Sequence, residues 1–401
     1  MNNTHKSKSI VVLLAATGTN FIGGILYIWS VISKGLVSQL SWTSQEASLP
    51  YTVATISFVI AMILFGKVQD LKGPKTTGTI GAILLGAGII LSGFTKNSIV
   101  ITLTFGVITG LGIGILNIST IAPALKWFPA EKKGLITGIV VAGVGFSSVF
   151  YSPLANYLVN SVGISRTFIY LGLFALVLSI IFVRQLDNPP EGYLAGNNGN
   201  IKDKQKYNEN YKWKEMLKTI SFYKVWLMLT FSSSAGLMVI GHMTNITKVQ
   251  IGWENGFLLV IALAIFNTLG RILGGSICDK IGRINLMQIV FILQGINMLL
   301  FARYTNIALL TLGTAIAGFC YGASFSVFPV IVSDFYGMEN FGVNYGIVYT
   351  GWGVGGVIGP MVAAKVFDST NSYRIAYMIA FILLCIALII SLTFKNYRLD
   401  E

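Results

Sequence analysis

The sequence predicts an all-α membrane protein: twelve transmembrane helices arranged as two pseudo-symmetric six-helix bundles. Three observations carry that prediction. Of 401 residues, 54% are hydrophobic and 11% charged, with a mean hydropathy of +0.72, a composition that soluble domains of this size do not show. Apolar runs of about 20 residues, long enough to cross a hydrocarbon core as helices, recur along the chain. The second half also repeats landmarks of the first at a nearly constant spacing.

In order, the spans are expected at 10–33, 47–69, 76–95, 98–125, 134–158, 167–186, 222–247, 255–278, 284–302, 306–333, 341–366 and 373–394. The first follows a polar stub, Met1 to Ser9, and is too long for a cleaved signal peptide, so it is kept as a span. The first six make a bundle over 1–186 and the last six another over 220–401. Between them, 187–219 carries Asn188-Pro189-Pro190, Gly196-Asn197-Asn198-Gly199-Asn200 and several lysines. That composition reads as a solvated cytoplasmic connector.

The repeat is specific. Gly66-x-x-x-Asp70-x-x-Gly73-x-Lys75 recurs as Gly275-x-x-x-Asp279-Lys280-x-Gly282-Arg283. Gly143-x-Gly145 matches Gly351-x-Gly353, Pro153 matches Pro360, and Arg166 matches Arg374, all at offsets of 207–209. Landmarks that hold this register imply two structurally related bundles, as transporters often have. Asp70 and Asp279 each lie where a short turn meets a helix, and carboxylates there can accept from helix N-terminal amides. With Lys75 and Arg283 they are candidates for conformational gating. The glycines around 138–145 and 346–356 permit close helix contact, and Pro153 and Pro360 add kinks.

With the N-terminus inside, the cytoplasmic segments and their adjoining helix ends hold 20 of the 28 Lys and Arg residues, the outer loops hold seven, and Arg271 is the remaining one. The positive-inside rule therefore places both termini in the cytoplasm. A bacterial inner membrane is the expected setting and a monomer the expected state. The net charge of +13 is scattered over short loops, which argues against nucleic-acid binding. Cys278, Cys320 and Cys385 lie in or at the ends of apolar segments without metal-ligand spacing. Neither a disulfide framework, a metal nor a cofactor is expected.

Arg271 stands out because the run from Gly256 to Cys278 is otherwise apolar but for Asn267, Thr268 and Ser276. A charge at bilayer depth costs roughly 3 kcal/mol on insertion scales, so it normally marks a pathway or a binding site. Guanidinium stays protonated, and its planar fork fits a carboxylate bidentately. The competing reading is a structural arginine paired with carbonyls or an acid on another span, yet no Asp or Glu sits mid-span. Met62 occupies the pseudo-symmetric position, so the positive charge belongs to one half only. Tyr27, Trp29, Tyr151, Tyr321, Phe325, Tyr349 and Trp352 are candidate substrate contacts among the aromatics, with Asn267 a further candidate; Tyr349 and Trp352 stand foremost, because Gly351 and Gly353 leave them without bulky neighbours. Asn117 can donate to a carboxylate oxygen or bond across helices. His242, the only histidine inside a span, is either a proton-coupling group or a hydrogen-bonded residue near the outer end of its helix.

The doubled Gly-x-x-x-Asp loops, twelve spans and central connector together resemble the major facilitator superfamily over nearly the whole chain. More narrowly, Asn267-Thr268-Leu269-Gly270-Arg271-Ile272-Leu273-Gly274-Gly275, Trp127-Phe128-Pro129 and Tyr349-Thr350-Gly351-Trp352-Gly353 are similar to the oxalate–formate antiporter family and the related monocarboxylate porters. The resemblance implies two bundles rocking about a midplane substrate site, with Asp70 and Asp279 holding the inner side together. It also implies carriage of a small carboxylate with a proton or a counter-anion. Two departures matter. Oxalate exchangers are expected to have a lysine in span eleven where this chain has Trp352, which points to a single carboxylate such as formate, lactate or pyruvate. Many eukaryotic monocarboxylate porters place an aspartate where this chain has Asn267, a residue unable to exchange protons.

The other function classes fare worse. An oxalate or dicarboxylate–formate exchanger is the nearest alternative. Exporters of cationic drugs usually need a membrane-embedded acid, and Ser152-Pro153 replaces the Gly-Pro of their span-five signature. No nucleophile with a base and an orienting partner suggests an enzyme.

Overall fold

A computed structural model describes residues 3–190, 192–193 and 210–394 of the chain. About half of the expected connector, 191 and 194–209, and the basic residues Lys395 and Arg398 lie outside the described residues. The elements are α1 (Asn3–Gly23), a 3₁₀ turn (Gly24–Ile28), α2 (Trp29–Leu40), α3 (Ser44–Ser92), α4 (Ser98–Ile101), a π segment (Thr102–Thr109) and α5 (Gly110–Trp127). They continue as α6 (Lys133–Val162), α7 (Ile164–Val183), α8 (Trp213–Met216), α9 (Ile220–Ile251), α10 (Phe257–Ile281), α11 (Arg283–Phe301), α12 (Ile307–Tyr336), α13 (Phe341–Thr370) and α14 (Arg374–Leu392).

Among the described residues, eleven helical stretches are long and apolar enough to span a membrane. One of them is the 49-residue α3, which breaks at Gly73, φ 77°, and so contains both the second and the third expected span. The repeat explains this break. Gly282, the counterpart of Gly73, also has positive φ, at 93°, and separates α10 from α11. Both loops need a backbone conformation that costs glycine nothing and a side-chain-bearing residue a good deal. Elsewhere the starts follow capping chemistry. Thr43 and Glu46 form a reciprocal capping box at the head of α3, and Asn97 caps α4 through Ile99 N at 2.9 Å.

The helices are apolar on both faces. In α10, Leu259, Leu263, Asn267, Gly270, Arg271, Gly274 and Cys278 are buried, yet Ile261, Ile265, Leu269, Leu273 and Ile277 on the other side are exposed. An exposed face this hydrophobic suits lipid rather than water.

By packing, the chain forms two compact units. The first comprises Met1–Ala130, Ile139–Trp213 and Phe335–Ile347. In it α3 packs on α5 and α7, and α1 packs on the same two helices. The second comprises Glu131–Gly138, Lys214–Asp334 and Val348–Glu401, where α14 packs on α9 and α11. Each unit therefore takes one short piece from the other half of the sequence: the start of α6 in one case, the start of α13 in the other.

Within the first unit, Trp127 of the Trp-Phe-Pro motif anchors a polar cluster. Its indole N–H donates to the Asp187 carbonyl at 2.7 Å, and its ring meets those of Tyr193 at 5.0 Å and His5 at 6.4 Å. Lys8 and Lys75 each place Nζ 3.0 Å from the Asp187 carboxylate. Burial would raise this carboxyl, but the hydrogen bonds and charges of Lys75 and Lys8 outweigh it and hold Asp187 below its ordinary value. A lowered folded-state value contributes stability above the unfolded-state pKa, about 3.9, and loses it as pH falls through the folded value. Wild type should therefore lose more of its unfolding midpoint than Asp187→Asn when pH is lowered from about 6 to about 3. The difference should be a few degrees at most, because half-exposed ion pairs contribute about 1 kcal/mol or less. Parallel melting curves would remove the ion pairs' role.

Candidate functional site

The second unit builds a site around Arg271. The residue is 1% exposed on a helix turn that two glycines let other backbone approach. A side chain at Gly322 of α12 would strike the Asn267 carbonyl, and one at Gly138 of α6 would strike the Arg271 carbonyl. Arg271 Nε donates to Asn267 Oδ1 at 3.0 Å, one turn back along α10. Because guanidinium can only donate, this bond fixes which end of the Asn267 amide faces it. Asn267 thus orients the cation. The guanidinium carbon lies 5.0 Å from the centre of the Phe325 ring, within range of a cation–π attraction.

Phe325 is the hub of an aromatic cluster that brings four of the expected contacts together. Its ring centre is 4.8 Å from Tyr321, 6.1 Å from Tyr349 and 6.4 Å from Trp352. Tyr349 and Trp352 are 5.2 Å apart, and Trp352 Nε1 donates to Tyr321 Oη at 2.9 Å. Ser324, next to Phe325 in the chain, shares a hydrogen bond of 3.0 Å with Ser232 of α9. The open space expected from Gly351 is absent: its vacant side packs on Trp226 and Thr230 of α9. Gly351 serves helix packing, and the rings beside it are buried.

The other expected contacts lie in the first unit. Asn117 donates to Asn20 Oδ1 at 3.2 Å, while Asn20 donates to Thr120 Oγ1 at 2.7 Å and to the Ala16 carbonyl at 3.2 Å. Asn117 therefore bonds across helices, and its buried Oδ1 has no hydrogen-bond partner. Tyr151 is fully buried, stacked on Phe21 at 5.4 Å, with a hydroxyl that likewise has no partner. Tyr27 falls in the 3₁₀ turn and is 37% exposed. Asn20 and Thr120 escaped the sequence reading, although polar residues in the first and fourth apolar runs were a signal.

His242 belongs elsewhere. Nε2 lies 3.1 Å from the Pro360 carbonyl and Nδ1 3.2 Å from Tyr373 Oη, which also accepts from Asn245 at 2.6 Å. A carbonyl only accepts, so Nε2 carries the hydrogen. The ring is ten residues along α9 from Ser232, roughly 15 Å of helix. This arrangement is the hydrogen-bonded alternative for His242.

The loop aspartates both cap helices. Asp70 accepts from Gly342 N at 2.7 Å and Val343 N at 3.0 Å in the first turn of α13. Asp279 accepts from Gly134 N and Leu135 N, each at 2.8 Å, at the start of α6. Negative charge at a helix N-terminus is favourable on dipole grounds. The repeat is broken in the basic partners. Arg283 lies 3.5 Å from Asp279 and 3.1 Å from Asp334, and Lys133 joins Asp334 at 3.0 Å. Lys75 turns instead to Asp187. Asp334 and Lys133 were not foreseen, because neither belongs to the repeated motif. Among the described residues no His, Cys, Asp and Glu group could hold a metal ion.

The buried Arg271 cation is thus bonded to an amide and lies against the Phe325 ring of an aromatic cluster. Comparison with known proteins places this architecture. The chain matches the Major Facilitator Superfamily over residues 9–296 and 239–400, and it belongs to that family of membrane transporters. It is 28% identical over 351 residues to the uncharacterized MFS-type transporter YhjX of Escherichia coli K12, covering 86% of this chain and 85% of that one. It is 25% identical over 386 residues to the oxalate:formate antiporter of Oxalobacter formigenes, covering 91% and 88%. Among solved structures, the proton:xylose symporter XylE matches with a TM-score of 0.78 at 14% identity, covering 97% of this chain and 96% of that one. That likeness is one of fold.

Proposed function

We propose that this transporter carries small organic anions, monocarboxylates of the formate, lactate or pyruvate type, by alternating access. Arg271 binds the carboxylate, Asn267 holds the guanidinium in place, and Tyr321, Phe325, Tyr349 and Trp352 shape the rest of the site. Asn117, Tyr151 and Tyr27, the remaining candidates, belong to the first unit. Coupling is by proton symport or by anion exchange. Asp70 and Asp279, with Lys75 and Arg283, act on conformation rather than on substrate. The protein works as a monomer in the cell membrane of a bacterium, with both termini in the cytoplasm.

The observation that carries the reading is the burial of Arg271, 1% exposed, within the apolar helix α10 and against the aromatic cluster. A bound carboxylate neutralises a charge that the membrane interior penalises, which lowers the cost of moving the site through a closed state. Similarity to an oxalate:formate antiporter favours a second reading, exchange of oxalate or another dicarboxylate for formate. Trp352, neutral where a second cation is expected for two carboxylates, weighs against it.

Thermal unfolding of the purified protein against small mono- and dicarboxylates separates the two. A ligand that binds only the folded state at 100 times its Kd adds about 2.7 kcal/mol of stability. Monocarboxylates should raise the midpoint and dicarboxylates should not. A dicarboxylate giving the larger shift would replace the first reading with the second, and no shift from any carboxylate would remove both.

A further inference from the structure

We infer that His242, Tyr373 and Asn245 form a proton-binding site in the second unit, separate from the site at Arg271. A proton taken up by His242 reverses the direction of one hydrogen-bond chain there instead of breaking it. The ligand is the proton itself, and the inference stands whether or not Arg271 binds a carboxylate.

The neutral state has one consistent set of directions. The Pro360 carbonyl, 3.1 Å from Nε2, can only accept, so Nε2 carries the hydrogen and Nδ1 is the bare nitrogen. Tyr373 Oη, 3.2 Å from Nδ1, must then donate to it. The same oxygen accepts from Asn245 Nδ2 at 2.6 Å. Donation thus runs from amide to phenol to imidazole. An imidazolium carries a hydrogen on both nitrogens, and its Nδ1 must donate to Oη. The phenol hydrogen then needs a new acceptor. Asn245 supplies one by turning its amide, because Oδ1 and Nδ2 exchange places with almost no change of shape. Asn245 is an exposed residue, which leaves the amide room to turn. Donation then runs from imidazole to phenol to amide oxygen, and each member keeps its partner in both states.

The surroundings hold the rings and leave the hydrogens and the amide to move. Tyr373 is buried and stacks on Phe367 at 4.8 Å, while its ring centre lies 5.5 Å from that of His242. His242 is half-buried, so water can deliver a proton to it. Histidine is the side chain whose charge ordinarily changes between about pH 5 and 8, and a negative neighbour favours the charged form. On α13 that neighbour is Asp368, whose charge bears on the Tyr373 hydroxyl. Lys365 on the same helix is exposed, as is Arg374 beside Tyr373 on α14. On α9 itself, Lys248 is paired with Glu254 at 3.0 Å. α12 meets the next residue, Met243, through the uncharged Thr314. A positive charge entering this corner of α9, α13 and α14 therefore meets the field of an acid. Ambient pH can thereby change the charge of the second unit without any group of the anion site taking part.

Nitrogen NMR of the purified full-length protein tests this. The chain has two histidines, so labelling histidine with nitrogen-15 gives two rings, and His5→Gln assigns the one that remains. At about pH 9 the His242 ring should carry its hydrogen on Nε2, and acidification to about pH 5 should add one to Nδ1 in a single reversible step. Asn245→Leu removes the amide that turns to accept the phenol hydrogen. It should lower the proton affinity of His242 about tenfold, a titration midpoint about one pH unit lower. Asn245→Asp, a permanent acceptor, should raise the midpoint. In a Tyr373→Phe background Asn245→Leu should change nothing further, because the link between positions 245 and 242 is gone. A hydrogen on Nδ1 at about pH 9, or a ring that stays neutral down to about pH 5, would overturn the inference. So would an Asn245→Leu midpoint equal to that of wild type, or an undiminished effect of Asn245→Leu beside Tyr373→Phe. The wild-type and His5→Gln spectra decide the first two outcomes even where a substitution at 245 or 373 prevents folding.

Discussion

Arg271→Gln should reduce monocarboxylate uptake in proteoliposomes by roughly 30- to several thousand-fold, with protein of normal yield and unfolding temperature. The range is that of truncating one member of a buried, hydrogen-bonded charge pair, about 2–5 kcal/mol, at 1.4 kcal/mol per tenfold. Glutamine keeps some length and donor capacity but no charge, so it isolates the electrostatic part. It also deprives Asn267 Oδ1 of the Nε–H that now lies at 3.0 Å. Arg271→Lys is the informative companion. Lysine restores the charge as a compact point, without the planar fork and without Nε. Partial recovery should follow, with a raised KM. Normal uptake by the glutamine variant would end the proposed function, because every other Lys and Arg lies in a loop or near a span end in the sequence reading.

Trp352→Lys should shift selectivity toward two negative charges. The variant places a second cation at the position where oxalate exchangers are expected to carry one, in the aromatic cluster that the Arg271 guanidinium already joins through Phe325. Without a dianion the two charges repel in a medium where water screens them poorly, so the empty variant should unfold at a lower temperature than wild type. Oxalate should restore that loss and should compete with labelled monocarboxylate at least tenfold better than it does in wild type. The readouts are the unfolding midpoint with and without oxalate, and inhibition of uptake. If oxalate remains inert against the variant, position 352 does not set the charge of the substrate, and the preference must be sought on other helices.

The parts of this protein that were legible beforehand are those written in local pattern. Apolar runs marked where the helices lie, and the paired Gly73 and Gly282 loops marked where two of them break, because positive φ at 77° and 93° is a demand that one residue type meets cheaply. Arg271 was visible for the same reason: charge inside an apolar run needs no tertiary knowledge to notice. What was not legible is pairing. The indole of Trp352 and the phenol of Tyr321 are 31 positions apart, and nothing in either helix's period shows that they touch. Asn20 and Asn117 lie 97 apart. Lys75 was grouped with Asp70 by motif, but the folded chain brings it to Asp187. The π segment at Thr102–Thr109 had no signal either, since a helix widened by one residue per turn keeps the same apolar composition. Gly351 misled because an absent side chain looks like free space until its neighbour, here Trp226, is known.

Gly270, Gly274, Gly318 and Gly322 seat α10 and α12 backbone against backbone, since a methyl group on any of them would collide with the facing helix. Two rods welded along such a seam travel as a single lever. The guanidinium rides on one and the Phe325 and Tyr321 rings on the other, so under the proposed function whatever motion carries a guest across leaves its grip intact. Chemistry and mechanics are thereby separable in this chain: side chains at the tip of the lever can be exchanged for new cargo without re-engineering the stroke.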